Sequence, residues 1–237
     1  MTHVIQQNLT RILDHIDILS QQYQRPKNAV QLLAVSKTRT DDEIRAAHAA
    51  GQHHFGENYA QELVGKAQRL ADLSIVWHFI GPLQTNKCRL IAEHGSWVHS
   101  VWREKEMRLL NQQRPSHLPP LNVCLQINID EEATKSGLLL SQVASLCEQS
   151  QVFPQLKLRG FMIIPQPVVA LDNQQNNPFH RLHEHYLQLR SQGFALDTLS
   201  MGMSDDYPLA IAEGATIIRL GRAIFGTRLA KGSVSEV

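Results

Sequence analysis

The feature that most constrains the fold is a repeated alternation between short apolar segments and longer amphipathic ones along nearly the whole chain. A short apolar run bounded by polar residues or glycine is typical of a strand buried in a parallel sheet. Eight such strands are predicted, at residues 32–37, 53–58, 75–80, 97–100, 121–129, 156–164, 196–201 and 216–220. Repeated βα units require right-handed crossovers, and eight of them close into a (β/α)8 TIM barrel. The alternative is an open doubly wound sheet, which normally uses about five to seven strands.

Helices are predicted between the strands because apolar residues recur there at helical spacing. An additional N-terminal helix covers residues 4–24, and residues 1–28 form this helix and a linker. A length of 237 residues suits one barrel of roughly 250, so we expect a single α/β domain over 1–237. Residues 165–178 are expected to form a long mobile loop and 229–237 a flexible tail. The remaining predicted helices lie at 41–50, 59–70, 85–94, 103–113, 138–150, 178–192, 205–213 and 222–227.

Composition excludes several classes of protein. The formal net charge is +1 with both signs intermixed, so no basic surface for nucleic acid is expected. No apolar run approaches the roughly 18 residues of a membrane span, and the N-terminus lacks the layout of a signal peptide. The three cysteines, Cys88, Cys124 and Cys147, are far apart, which favours reduced thiols over disulfides or a zinc ribbon. We therefore expect a cytoplasmic protein.

Lys37 is the first candidate for chemistry. It ends the apolar run at 32–36, and residues 38–43 then open a helix, so it lies at the carboxyl end of a strand, where α/β folds place their active sites. An apolar strand end desolvates an amine and disfavours the ammonium form, and a free amine attacks carbonyls to form a Schiff base. The alternative is a lysine whose stem merely extends to solvent.

Every strand of a barrel delivers its carboxyl-terminal residues to one mouth, so the residues that end the strands are predicted to lie together. Barrels commonly bind phosphate in the loops after strands seven and eight. The residues expected at the mouth besides Lys37 are Asn58, Tyr59, His78, Asn128, Met162 and Met201.

Both of the last two loops have the composition of a phosphate site. Residues 201–206 place a glycine before Ser204 at a predicted helix start, where backbone N–H groups favour an anion. Residues 219–226 add a turn at Gly221 and two cations, Arg219 and Arg222. Taken singly, Ser204 could be only a helix N-cap and Gly221 only a tight turn. Their position after consecutive strands favours phosphate binding.

A Schiff-base lysine on the first strand and a phosphate site on the last two match the requirements of pyridoxal 5′-phosphate (PLP). The aldehyde needs an amine, the phosphate needs donors and the ring nitrogen needs a partner, for which Arg219 is the candidate. An arginine accepts no proton, so it would leave the pyridine nitrogen unprotonated and the ring a weaker electron sink. The alternative role for Arg219 is a salt bridge that closes the barrel.

Four motifs then show a resemblance to a known family: AVSKT at 34–38, FGENY at 55–59, WHFIGPLQTNK at 77–87 and GMSDD at 202–206. The chain resembles the YggS/PROSC family of PLP homeostasis proteins over nearly its whole length. The resemblance implies a single barrel of the alanine racemase N-terminal domain type that carries PLP as an internal aldimine on Lys37. It also implies that Ser204 and Gly221 bind phosphate, that Arg219 faces the ring nitrogen, and that Asn58 and His78 lie near the cofactor.

One position departs from the family. Many relatives have a threonine where this chain has Arg222, so one phosphate hydrogen bond from a hydroxyl is lost while the backbone N–H remains. We include Met201 and Arg222 among the expected cofactor-binding residues.

The expected function is a PLP carrier and regulator that affects vitamin B6 and amino-acid balance and is not an efficient enzyme. It is expected to act as a monomer and to deliver PLP to apo-enzymes. The first rival is a PLP-dependent amino-acid racemase, which would need bases on both faces of the substrate. We expect no appended β domain to supply the second base. The second rival is a class I aldolase that uses Lys37 on a sugar carbonyl.

No metal site is expected. His180, His183 and Glu184 share a helix face, but without further convergent ligands such a set is typical of a solvated helix.

Overall fold

A computed structural model describes residues 2–167 and 177–226 of the chain, and within them strands and helices alternate. The strands are β1 (Gln31–Val35), β2 (His54–Glu57), β3 (Val76–Phe79), β4 (Trp97–Val101), β5 (Leu121–Gln126), β6 (Leu156–Met162), β7 (Thr198–Ser200) and β8 (Ile217–Leu220). The helices are α1 (Thr2–Gln22), α2 (Asp41–Ala49), α3 (Ala60–Arg69), α4 (Cys88–His94), α5 (Glu104–Gln113), α6 (Leu140–Ser150), α7 (Pro178–Ser191), α8 (Tyr207–Ala212) and α9 (Arg222–Phe225). A 3-10 turn (Thr85–Lys87) leads into α4.

The eight strands form a closed barrel in which each pairs in parallel with its neighbours in chain order. Pairing of β1 with β8, in which Gln31 lies opposite Ile217, closes the ring. This confirms the predicted (β/α)8 barrel. It also excludes the open doubly wound sheet, because that sheet would leave two unpaired edges.

Apolar side chains fill two layers. The larger lies between the helices and the outside of the barrel and includes residues such as Ile44, Leu63 and Phe179. A smaller cluster joins Leu33, Trp97, Cys124, Met162 and Ile217. Since these five come from five different strands, they meet inside the barrel.

The extra N-terminal helix is also confirmed. Its apolar face buries Ile5, Leu9, Ile12, Ile16 and Leu19, and it packs against α2, α8 and α9. The amide of Asn8 donates to the carbonyl of Ile224, which ties the start of the chain to the last described helix. The helix therefore covers the seam where the barrel closes.

Some boundaries differ from the predicted ones. The helix predicted at 205–213 begins only at Tyr207, because the Asp206 carboxylate accepts the N–H of Met203 in a turn and Asp206 is the N-cap. The strand predicted at 121–129 ends at Gln126, and that at 196–201 spans only Thr198–Ser200. Most of the loop predicted at 165–178, and the tail predicted at 229–237, lie outside the described residues.

The three cysteines are buried and free, as expected. Among the described residues, no helix combines the length and apolarity needed to cross a bilayer.

Candidate functional site

A cavity of 520 Å³ opens where β1, β7 and β8 end, and five of the predicted site residues line it. The end of β1 contributes Lys37, the loop after β7 contributes Ser204, and β8 with its loop contributes the other three. The full lining is Val35, Lys37, Met203, Ser204, Asp205, Arg219, Gly221 and Arg222. The predicted meeting of strand one with the last two loops is therefore present in the structure.

Lys37 follows β1 by two residues and is half-buried. Within 2–167 and 177–226, its amine takes part in no hydrogen bond or ion pair. Its neighbour Thr38 adopts a left-handed φ of 63°, which turns the chain sharply away from the strand. The lysine amine is thus presented at the mouth without a partner among the described residues, and the backbone beside it is under a constraint from hydrogen bonds.

That constraint comes from a group we call the lysine clamp: Ser36, Glu57, Glu62 and Lys66. The buried Lys66 ammonium donates to Glu57 Oε1 at 2.9 Å, to Glu62 Oε1 at 2.6 Å and to the Ser36 carbonyl at 2.7 Å. The Ser36 hydroxyl donates to Glu57 Oε1 at 2.5 Å, and the N–H of Thr38 donates to Glu62 Oε1 at 2.5 Å. Both chain neighbours of Lys37 are therefore fixed by carboxylates that share one buried cation.

Glu57 is fully buried, and its Oε2 atom has no hydrogen-bond partner among the described residues. Burial raises the pKa of this carboxyl to about 7, while Lys66 and the Ser36 hydroxyl act in the opposite direction. Both donors contact Oε1, which leaves Oε2 free to carry the proton. Burial thus brings the protonated form of Glu57 closer to neutral pH than it is for an exposed glutamate.

Arg219 projects from β8 and is only 5% exposed. Its Nη1 donates to the carbonyl and the hydroxyl of Ser200 at 2.6 and 2.9 Å, and its Nη2 donates to the Ile163 carbonyl at 2.8 Å. Burial lowers the pKa of the guanidinium to about 10, so it stays charged at neutral pH. In the described part of the chain Arg219 forms no salt bridge, and the alternative role of closing the barrel by an ion pair is wrong.

The loop after β7 turns through Gly202, whose φ is +94°. A Cβ there would lie 2.7 Å from the Cβ of Ala210, so only glycine fits the turn. Ser204 lies two residues before the N-cap of α8, and the interpretation of Ser204 as a helix cap is therefore wrong. Among described residues, no acceptor takes the backbone N–H of Ser204 or of Arg222. Those two N–H groups are available to an anion.

Asn58 lines a neighbouring cavity of 610 Å³. Its Oδ1 is buried and has no partner among the described residues. Asn128 and Met162 line the same cavity. Gly81 lies against Asn58 so closely that a Cβ on Gly81 would be 1.9 Å from the Asn58 carbonyl oxygen. This contact accounts for the glycine of the WHFIG run.

His78 and Met201 are fully buried and line neither of these two cavities. Both ring nitrogens of His78 are engaged by other histidines, at 2.9 Å from His54 and 2.9 Å from His99. The structure thus places these two residues behind the site, and their contact with a cofactor stays a prediction.

Sequence reasoning did not identify any of the four members of the clamp as site residues. Glu62 and Lys66 are spaced i, i+4 on α3, a pattern that predicts an ordinary solvent-exposed pair. The available signal was Glu57, a carboxylate near the end of a predicted buried strand, because a buried carboxylate normally requires a partner.

The helix-face set considered for a metal does not form a site. His180 instead contacts the Glu213 carboxylate at 2.9 Å. Over 2–167 and 177–226, no group of three or more His, Cys, Asp or Glu side chains could hold a metal ion.

Comparison with known proteins places the chain in a family. Residues 7–229 match the family described as "Alanine racemase, N-terminal domain". A protein from Pseudomonas aeruginosa named pyridoxal phosphate homeostasis protein is 51% identical over 224 residues, which cover 94% of this chain and 96% of that one.

Solved structures of other proteins have the same fold as this chain. The structure of PipY from Synechococcus elongatus with PLP bound has a TM-score of 0.80 at 36% identity, and the match covers 94% of this chain and 100% of that chain. Alanine racemase from Corynebacterium glutamicum has a TM-score of 0.67 at 13% identity and shares the fold, with 95% of this chain covering 61% of the racemase.

Proposed function

This chain belongs to the family of pyridoxal phosphate homeostasis proteins, built on the alanine racemase N-terminal domain, and from that premise we propose that it binds PLP in the 520 Å³ cavity. The observation that carries the proposal is the meeting of a lysine amine and a buried guanidinium at that cavity. The amine is that of Lys37, which has no partner among the described residues, and the guanidinium is that of Arg219. We further propose that the protein serves intracellular vitamin B6 and amino-acid balance as a carrier and regulator.

The donor set of the cavity fits the cofactor. Lys37 would hold PLP covalently through its amine and the cofactor's aldehyde carbon. The phosphate would be met by the Ser204 hydroxyl, by backbone N–H groups near Ser204 and Gly221, and by the cation of Arg222, which is exposed at the rim. When bound, the cofactor supplies an electrophilic carbon and an electron-withdrawing ring.

Arg219 fits a partner that accepts hydrogen bonds. Arg219 donates three hydrogen bonds, two to Ser200 and one to Ile163. A guanidinium has five N–H groups, so further donors remain. The remaining donors suit an unprotonated pyridine nitrogen. Because arginine gives up no proton at neutral pH, the ring would remain a weak electron sink, which favours carriage over catalysis on amino acids.

The other predicted contacts have different positions in this proposal. Asn58 would approach the cofactor from the adjoining cavity, where its Oδ1 lacks a protein partner. His78 and Met201 would support the site from inside the barrel, since both are fully buried.

We propose that the protein acts in the cytoplasm as a monomer formed by one domain and passes PLP to apo forms of PLP-dependent enzymes. The Lys37 amine, which has no partner in the part of the chain that the structure describes, supports this role, because a half-buried amine at an open mouth allows the covalent bond to form and to reverse. Sedimentation of the holo-protein tests the monomer, and a dimer would contradict it.

The test of the cofactor site is borohydride reduction of the PLP-loaded protein followed by peptide mass mapping. We expect a visible absorption band before reduction and the pyridoxyl group on Lys37 afterwards. Lys37→Ala should lose the band, whereas Lys105→Ala, which changes an exposed lysine on α5, should keep it. A label mainly on another lysine would contradict the assignment.

A second test separates carriage from catalysis. The loaded protein is incubated with single L-amino acids, and chirality and keto-acid formation are followed alongside transfer of PLP to an apo-enzyme. We expect transfer with little turnover. Turnover near the roughly 10 per second typical of enzymes, without transfer, would favour the racemase. Absence of any visible band with activity on a sugar would favour the aldolase.

A further inference from the structure

Three histidines form a hydrogen-bonded line inside the barrel that ends on Arg219. His54 Nδ1 lies 2.9 Å from His78 Nε2, His78 Nδ1 lies 2.9 Å from His99 Nε2, and His99 Nδ1 lies 2.8 Å from the Ser200 hydroxyl. The same hydroxyl oxygen accepts from Arg219 Nη1 at 2.9 Å. We call these five residues the histidine row.

The row crosses the barrel. Its histidines come from the neighbouring strands β2, β3 and β4, whereas Ser200 and Arg219 come from β7 and β8. Since β4 and β7 are not neighbours, the bond between His99 and Ser200 passes through the interior. Trp97 stacks on the ring of His78, with centroids 5.3 Å apart and planes inclined by 11°, and so limits rotation of that ring.

The histidines of the row are neutral. Burial lowers the pKa of His54, lowers that of His78 well below its usual range, and together with the charge of Arg219 lowers that of His99 to about 3. A neutral imidazole has one donor and one acceptor nitrogen. Each ring therefore passes a hydrogen bond on in a single direction.

Arg219 sets that direction. A guanidinium only donates, so the Ser200 oxygen accepts from it, and among the described residues the only other partner of that hydroxyl is His99 Nδ1. The Ser200 hydrogen therefore goes to His99, which donates from Nε2 to His78, which in turn donates from Nε2 to His54. The reverse order would leave the fully buried Ser200 hydrogen without an acceptor.

We propose that Ser200 and His99 are positioning residues for Arg219, and that hydrogen bonds running one way from Arg219 to His54 hold all three histidines in the Nε2–H tautomer. While His99 accepts the Ser200 hydrogen, that hydrogen points away from Arg219 and a lone pair of the hydroxyl oxygen is held towards the guanidinium. The tautomers follow from the protein alone, whereas the effect on PLP rests on the function proposed above.

The tautomers are measured directly on protein labelled with ¹⁵N-histidine, near neutral pH and without added PLP. Long-range ¹H–¹⁵N correlation distinguishes the two nitrogens, and single variants assign the signals among the 12 histidines. We expect the Nε2–H pattern at all three positions. In Ser200→Ala, His99 and His78 should become mixtures of tautomers. An Nδ1–H form of His78 or His99 in the unaltered protein, or no change in Ser200→Ala, would overturn the proposal.

Two substitutions at His99 then test the positioning of Arg219. Asparagine places an acceptor oxygen near the site of Nδ1 and keeps the Ser200 hydrogen occupied, whereas leucine does not. We expect PLP affinity within about twofold of the unaltered protein for His99→Asn and about tenfold weaker for His99→Leu. Equal affinities for the two variants would overturn the positioning role. If the unaltered protein bound no PLP, the proposed function would be wrong. The tautomer measurement, which needs no PLP, would still show whether the hydrogen bonds of the row run in one direction.

Discussion

Lys37 and Arg219, which line the same cavity, are held in opposite ways. The backbone beside Lys37 is fixed by the lysine clamp, in which a buried ammonium joins two carboxylates. Arg219 is fixed by carbonyl oxygens and by the other members of the histidine row, none of which is negatively charged. The clamp holds the chain neighbours of Lys37 and the row ends on Arg219, and both of these residues line the 520 Å³ cavity. The first stabilises through charge pairing, and the second through the direction of its hydrogen bonds.

The difference matters because an ion pair and a directed row of hydrogen bonds respond differently when one side chain is replaced. Removing one member of a buried ion pair leaves an uncompensated charge, which is costly. Removing a neutral member of the row leaves one hydrogen-bonding group without its partner. This costs less free energy, but the next side chain in the row is then free to change its orientation. We therefore expect damage to the clamp to appear first in stability, and damage to the row first in binding.

The largest effect is expected from Lys66→Met. The change leaves Glu57 and Glu62 facing each other without their shared cation, and should lower the free energy of unfolding by about 3–5 kcal/mol. Urea unfolding near pH 8 measures it. Lys105→Met, at an exposed position on α5, is the matched control and should change stability by less than about 0.5 kcal/mol.

Adding Glu57→Gln to Lys66→Met should recover part of the loss, because the buried negative charge is removed as well. A loss of unfolding free energy below about 1 kcal/mol for Lys66→Met alone would mean that the clamp stabilises the protein no more than an exposed ion pair does. The clamp and the row would then not differ in the way described above.

The pH dependence of Glu57 gives the next effect. Its pKa is raised by burial to about 7 in the folded protein, so between its unfolded value and pH 7 the native state holds the proton more tightly. Its contribution to stability is therefore full at low pH and is lost as pH rises. Relative to Glu57→Gln, the unaltered protein should lose about 2–3 kcal/mol of unfolding free energy between about pH 5 and pH 8.

His99 should show the opposite sign in the same pH range. Its pKa is lowered by burial to about 3, so below its unfolded value the unfolded state binds the proton and the native state does not. Stability from this group is present above that value and is lost as pH falls. Relative to His99→Asn, the unaltered protein should gain about 2 kcal/mol between about pH 5 and pH 8. Parallel pH profiles for the two variants would refute the division into a charged and a neutral assembly.

The sequence predicted the residues that line the cavity better than the residues that hold them in place. The apolar run before Lys37 and the glycine and hydroxyl of the last two loops are local signals, and the structure brings them together at one cavity. Lys66 could not be identified, because its partner Ser36 lies 30 residues earlier and a lysine on an amphipathic helix normally faces solvent.

His78 shows a second limit of prediction from sequence, which concerns the height of a residue along the barrel. It was predicted at the mouth because it comes near the end of a strand, yet it lies inside the barrel. The stagger between strands sets this height: His78 pairs opposite Gly56 of β2 and opposite Trp97, the first residue of β4. Stagger follows from closure of the whole barrel, which no single segment encodes. The bond from His99 to Ser200, across 101 residues of sequence, is invisible for the same reason.

The smallest expected effect is the stability change of Ser200→Ala. Arg219 keeps the Ser200 and Ile163 carbonyl oxygens as acceptors, so its charge stays satisfied. Only the hydroxyl that accepts from Arg219 and donates to His99 is lost. We expect a loss of about 1 kcal/mol in unfolding free energy, measured under the conditions used for Lys66→Met.

A double-mutant cycle locates that loss. If Ser200 and His99 act as one row, Ser200→Ala should cost much less in a His99→Leu background, because the hydroxyl there has no acceptor for its hydrogen. Additive losses would mean that the serine stabilises Arg219 independently of the histidines. In that case the three histidines would share no common direction of hydrogen bonding with Ser200, and only the clamp would act as a unit.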